Sequence, residues 1–147
     1  GGSSSDAEGL APSTIGSKVL NMMVTGITDA AIDLPDILNI TTGDNGAFIA
    51  QTQGEDIDMW NGAGIYSYTK TGKNTAELSL SYNRNDGSSS EPNTLVSTIR
   101  IPQLTFENAS HASSGEGGAS ISYMKAEDRQ PIPIDGITIS VNIISQS

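Results

Sequence analysis

The sequence predicts an all-β fold, an eight-stranded antiparallel up-and-down barrel, with a β-sandwich as the alternative. Three observations lead to this prediction: short segments that alternate apolar and polar residues, Gly- and Asn-rich turns between them, and a hydrophobic fraction of only 35%. Antiparallel strands with one solvated face have this composition. Sequential strands in this number commonly close into a barrel, which leaves no exposed sheet edge.

The clearest element is a β-hairpin from Gly64 to Tyr82. Tyr66 and Tyr68 share one face of its first strand. Alternate apolar residues share one face of the second strand: Ala76, Leu78, Leu80 and Tyr82. The turn at 72–74 contains Gly and Asn, which accept the positive φ angles of tight turns.

The remaining strands are predicted from shorter patterns, in the ranges 18–25, 37–42, 47–53, 94–107, 119–125 and 136–144. Pro102 cannot donate a hydrogen bond to a neighbouring strand, so it marks an edge, a bulge or a bend. Segments 108–118 and 126–135 are predicted to be loops. The alternation predicts these inward-facing residues: Val19, Ile40, Phe48, Tyr66, Tyr68, Leu78, Leu80, Leu104, Phe106, Ile121, Ile137, Ile139 and Val141.

Length and composition limit the organisation of the chain. With 147 residues we expect one barrel domain at 18–147, preceded by a flexible leader or tether at 1–17 that is rich in Gly and Ser and has nothing to bury. The net charge of −10 argues against binding to nucleic acid or to anionic membranes. The chain has no cysteine, and no apolar run approaches the roughly 20 residues of a transmembrane helix.

The hairpin also carries a resemblance. The pattern Gly64-x-Tyr66-x-Tyr68-Thr-Lys-Thr-Gly72-x-Asn74 and the alternating strand after it resemble a hairpin of small exported bacterial barrel proteins, which are lipocalin- or calycin-like and include many lipoproteins. The resemblance implies export to the bacterial cell envelope or outer surface. It also implies a possible lipid anchor before residue 1, for which the Gly/Ser-rich leader would be the tether.

Aromatic residues near the hairpin suggest a ligand site. Trp60, Tyr66, Tyr68 and Tyr82 could present flat faces with polar tips to a sugar or an apolar molecule, in the barrel or at its mouth. The alternative is that these side chains are ordinary core packing.

Acidic residues suggest two further sites. Asp44, Glu55, Asp56 and Asp58 could supply oxygen ligands to calcium, although their spacing is not that of an EF-hand and a solvated acidic loop is the alternative. Asp56 and Asp58 could also act as a carboxylate pair in a hydrolase. The only histidine, His111, lies in a predicted Ser/Gly-rich turn, where nothing would hold a general base against a nucleophile.

The residue patterns favour a non-enzymatic protein that binds a small apolar or sugar ligand and needs no cofactor, and the resemblance implies that it is an exported envelope protein. A structural or adhesive surface protein with a side-chain-filled barrel is the first alternative, and a carboxylate-dependent hydrolase is the second. No catalytic residue is predicted. The sequence leaves the oligomeric state open.

Overall fold

The computed structural model describes residues 9–26, 37–52, 60–84, 95–124 and 131–145. Within these ranges, nine strands form one sheet, and every pairing is antiparallel. The strands are β1 (Lys18–Gly26), β2 (Leu38–Thr42), β3 (Ala47–Thr52), β4 (Gly62–Lys70), β5 (Thr75–Arg84), β6 (Leu95–Asn108), β7 (His111–Ser113), β8 (Ala119–Met124) and β9 (Pro131–Ser145).

The sheet closes on itself because β1 pairs with both β2 and β9. Strands β7 and β8 occupy one position between β6 and β9 and run in the same direction. The nine strands therefore fill eight positions around a closed barrel. The predicted barrel is confirmed, and the sandwich alternative is wrong.

The seventh position differs from the prediction. Residues 108–118 were expected to form a turn, but they contain β7, whose Ala112 is fully buried. Segment 114–118 interrupts the strand before β8 continues it. The last strand also begins earlier than predicted, at Pro131, because a bulge at Gly136 (φ +72°) lets the chain stay paired with β8 on both sides of the irregularity.

Strand β6 runs without a break through Pro102. Its register against β5 shifts there, since Ala76 pairs with Leu104 and Leu78 pairs with Ile101. The chain advances three residues on β6, from Ile101 to Leu104, where it advances two on β5, and this extra residue is a β-bulge. The prediction that Pro102 marks an edge, bulge or bend is confirmed.

The barrel interior is a continuous apolar core. Ten of the predicted inward residues are buried: Ile40, Phe48, Leu78, Leu80, Leu104, Phe106, Ile121, Ile137, Ile139 and Val141. Tyr66 and Tyr68 lie partly buried against this core. The prediction for Val19 is wrong, because β1 buries Leu20 and Met22 instead and Val19 faces the other way.

The two ends of the barrel differ. One end, which we call the capped end, carries the tight connections 43–46, 71–74 and 109–110 and is covered by residues 9–17. This differs from the expected leader, since Ala11 and Ile15 are buried. The opposite end, called the loop end, joins its strands through residues outside the described ranges. Within those ranges, no helix is long and apolar enough to cross a membrane.

Candidate functional site

The strongest candidate for an internal site is a small void towards the loop end. Among the described residues, its lining is aliphatic or aromatic: Met22, Val24, Leu38, Trp60, Ile99, Ile121 and Ile139. The void measures about 10 Å³, roughly the space of a single water molecule. An apolar space of this size stays dry, so the void is a packing gap of the core.

Trp60 forms one wall of this void and is almost fully buried, at 1% exposure. It lies just before β4, and its backbone carbonyl accepts a hydrogen bond of 2.9 Å from the hydroxyl of Tyr82. Tyr82 is itself 2% exposed. The Tyr82 hydroxyl, which could have oriented a ligand, instead bonds to the backbone immediately before β4.

Phe48 and Tyr82 pack edge to face across Gly64. Gly64 pairs with Phe48 on one side and with Tyr82 on the other, and the two ring centroids are 5.3 Å apart at 64°. A glycine here leaves room for the rings to meet above the strand. Both rings belong to the buried core of the barrel.

The other two predicted aromatic residues lie towards the capped end. The Tyr66 hydroxyl donates to the carbonyl of Gly43 at 2.8 Å, and the Tyr68 hydroxyl donates to the carbonyl of Pro12 at 2.6 Å. Burial, followed by the nearby charge of Asp44, raises the pKa of Tyr66. Burial raises the pKa of Tyr68 to about 12. Both phenols are therefore neutral donors at physiological pH. Tyr68 ties residues 9–17, which we call the cap, to the barrel, whereas Tyr66 ties the 43–46 connection to β4.

The cap is fastened by further polar contacts. The Lys70 ammonium donates to the carbonyl of Ala11 at 2.8 Å. The amide of Leu10 donates to the side chain of Asn74 at 3.0 Å, and the amide of Ala11 donates to the carbonyl of Lys73 at 3.1 Å. These bonds give backbone groups of the cap partners on the connection between β4 and β5 and at the end of β4.

Thr42 and Asp44 hold the part of the cap nearest β1. The Thr42 hydroxyl contacts the carbonyl of Ile15, and Asp44 accepts a hydrogen bond of 2.7 Å from the Ser17 hydroxyl.

The predicted metal ligands Glu55, Asp56 and Asp58 lie outside the described residues, and Asp56 and Asp58 are also the predicted hydrolase pair. Within the described ranges, no three His, Cys, Asp or Glu side chains cluster to hold a metal ion.

His111 lies in β7, not in a turn as expected, and is half-buried. Its Nδ1 is 2.6 Å from the side-chain oxygen of Asn142, and its Nε2 is 3.3 Å from a Glu107 carboxylate oxygen. Both ring nitrogens thus face partners on β9 and β6. This arrangement ties three strands together at the capped end.

The structure therefore separates the four predicted ligand residues. Trp60 and Tyr82 lie together towards the loop end, while Tyr66 and Tyr68 lie towards the capped end. Sequence reasoning missed two features: the aliphatic lining of the void, which looks like any core, and the cap. The one available signal for the cap was the pair of apolar residues Leu10 and Ile15 within a Gly/Ser-rich stretch.

Comparison with protein families, with curated proteins and with solved structures found no match for this chain. The fold and the contacts above therefore carry the functional argument.

Proposed function

We propose that this chain is a non-enzymatic structural or adhesive module of the bacterial cell envelope. In this proposal the barrel interior is a packed core, and the outer surface makes the functional contacts. One observation carries the proposal: the void near Trp60 measures about 10 Å³, whereas pockets for small ligands typically span roughly 300–1,000 Å³.

The use of the aromatic residues supports the same proposal. The hydroxyls of Tyr66, Tyr68 and Tyr82 each donate to a backbone carbonyl of this chain. A ligand would have to replace these bonds, and a buried carbonyl that loses its partner costs about 1–3 kcal/mol. The three tyrosines therefore stabilise the fold through hydrogen bonds within the chain.

Export to the envelope, with a lipid anchor ahead of residue 1, belongs to the same proposal. Its support is the Gly/Ser-rich start of the chain and the hairpin resemblance. Fractionation of the source cells with an antibody to this chain tests it. Recovery in the envelope or surface fraction is expected, and recovery in the cytosol would contradict it.

A small apolar ligand near Trp60 is the second candidate. The observation that favours it is the apolar character of the described lining, which includes Met22, a flexible side chain that can change shape around a bound molecule. A ligand could enter only if the lining moves, because the void as it stands holds no more than one water molecule.

Titration of Trp60 emission separates the two candidates. Fatty acids, sterols, haem-like pigments and short glycans should each leave the emission of the wild-type chain unchanged, with and without calcium. Native mass spectrometry of protein from its own host should show a bare chain. A saturable shift, or a co-purified small molecule, would overturn the structural proposal in favour of the ligand binder.

A pair of variants tests where such a ligand would lie. Ile139→Ala enlarges the void, whereas Ile49→Ala removes the same atoms from a side chain that is 54% exposed on the outer wall. Under the ligand hypothesis, only Ile139→Ala changes the titration. Screens for ester, glycoside and peptide hydrolysis should be blank for all three proteins.

A further inference from the structure

The chain contains two Asn-Gly dipeptides, Asn45-Gly46 and Asn61-Gly62, which lie in different backbone settings. An asparagine that precedes glycine can lose its side-chain amide without an enzyme, because the next backbone nitrogen can attack the side-chain carbonyl carbon. Glycine favours this attack, since it has no side chain in the way and its backbone adopts a wide range of angles. The two dipeptides therefore allow a comparison within one chain.

Asn45 and Gly46 lie in the tight connection between β2 and β3. Asn45 is exposed, and Gly46 has a φ of +88°. Because β3 begins only at Ala47, Gly46 lies outside the pairing of β2 with β3. Its amide nitrogen, the attacking atom, has no acceptor among the described residues. The nucleophile at this dipeptide is therefore not held in a strand.

The side chain of Asn45 is also directed along the chain. Its Oδ1 accepts a hydrogen bond of 3.1 Å from the amide of Ala47, which follows Gly46 directly. This bond keeps the side chain of Asn45 alongside the Gly46 peptide. It also places a donor at the oxygen that becomes negative when the Gly46 nitrogen adds to Cγ, and such a donor stabilises the transition state.

Asn61 and Gly62 are held in the opposite way. The half-buried Asn61 accepts a hydrogen bond of 2.7 Å from the amide of Thr52, so its side chain reaches across to β3. Gly62 is the first residue of β4 and is in register with Ala50 on β3 and Arg84 on β5. Ring closure between Asn61 and Gly62 would require local opening of these strands.

We propose that Asn45 is a site of spontaneous deamidation and that the folded barrel protects Asn61 from the same reaction. The Gly46 nitrogen bonds to Cγ of Asn45 while the Cγ–Nδ2 bond breaks. Nδ2 takes up the proton of the Gly46 nitrogen and leaves as ammonia, and a five-membered imide remains. Water then opens the imide, at the backbone carbonyl to give isoaspartate or at the side-chain carbonyl to give aspartate. Water is the only co-reactant.

The modification would act on contacts at the capped end. Isoaspartate adds one carbon to the main chain of the connection, and both products add a carboxylate beside Asp44. Tyr66 is bonded to this connection twice, through its amide to the carbonyl of Gly46 and through its hydroxyl to the carbonyl of Gly43, each at 2.8 Å. Asp44 accepts the bond from Ser17 of the cap. This inference goes beyond the proposed function, because these contacts are the same whether or not the interior takes a ligand.

Incubation of the full chain at mildly alkaline pH tests the proposal. Peptide mapping by mass spectrometry follows the gain of one mass unit at each asparagine, and an isoaspartyl carboxyl methyltransferase used as a reagent labels the isoaspartate product. In the folded wild type, Asn45 should react at least about tenfold faster than Asn61, because Asn61 must first wait for its strands to open. In urea the two rates should become similar, since each asparagine precedes glycine and neither is held.

Asn45→Gln is the matched variant. It keeps the amide, but its longer side chain would have to close a six-membered ring, so the mass gain at position 45 should disappear while Asn61 behaves as in the wild type. Equal rates at Asn45 and Asn61 in the folded chain would overturn the proposal. An Asn45 that stays intact in the folded chain but reacts in urea would overturn it as well.

Discussion

Replacing Gly64 with alanine should destabilise the barrel, because β4 and β5 lie very close together at this position. An alanine Cβ at this position would lie 2.1 Å from the carbonyl oxygen of Ser81 and 2.4 Å from the Cα of Tyr82. Ordinary carbon–oxygen contacts between strands are about 3.3–3.6 Å. Strands β4 and β5 would therefore have to move apart by roughly 1 Å at this point.

The movement is expensive because β5 is paired on both sides, to β4 and to β6. Overpacking of this kind costs about 1–3 kcal/mol. The Phe48–Tyr82 ring contact that spans Gly64 adds about 0.5–1.5 kcal/mol if it is lost. We therefore expect Gly64→Ala to lower the free energy of unfolding by about 3 kcal/mol, which for a chain of this length lowers the thermal midpoint by roughly 10 °C.

Urea denaturation followed by Trp60 emission measures this change, since the buried indole becomes exposed to water on unfolding. Gly72→Ala is the control. Its added methyl meets only the side chain of Thr75, whose hydroxyl at 2.7 Å can rotate away, so it should cost less than about 1 kcal/mol. If the two variants unfold at the same urea concentration, the close approach of β4 to β5 at Gly64 is refuted.

Two further predictions concern the cap. Ile15→Ala truncates a side chain that is 2% exposed and should lower the free energy of unfolding by about 2–5 kcal/mol. Ser13→Ala, the control at an exposed position, should change it by no more than about 0.5 kcal/mol. Equal urea midpoints for the two variants would show that the cap is not part of the cooperative fold. Tyr68 has a pKa near 12 in the folded chain against 10 when unfolded, so the stability it supplies is complete below pH 10 and is lost as pH rises to about 12. Tyr68→Phe should flatten this alkaline fall in the denaturation midpoint, and an unchanged slope would contradict the assignment.

The barrel was predictable because its signals are local. Alternation over five or more residues identifies a half-buried strand, and Gly- or Asn-containing turns join such strands into hairpins. The prediction failed where the local signal was weak. Val19 and Leu20 are both apolar, so the sequence does not say which of them faces inward, and only pairing with β2 and β9 decides. Strand β7 is three residues long, too short for alternation to stand out.

The candidate site was less predictable, because a site depends on contacts between distant segments. The pattern at 64–68 correctly puts Tyr66 and Tyr68 on one face. It does not show that their hydroxyls are bonded to residues far away in the sequence, at Gly43 and Pro12. Nor does the composition of the first 17 residues distinguish a flexible tether from a packed cap, because burial of only two apolar side chains, Ala11 and Ile15, makes the difference.

Closure of the barrel also governs how the chain folds. Consecutive strands from β1 to β6 pair across short or moderate separations, but the contact of β1 with β9 joins Lys18 to Ser145. Bringing these residues together in an unstructured chain costs about 4 kcal/mol of loop entropy. Hairpins that form in microseconds shorten the distance first. We therefore expect refolding in the millisecond-to-second range, with the β1–β9 pairing the last to form and the first to exchange its amide hydrogens.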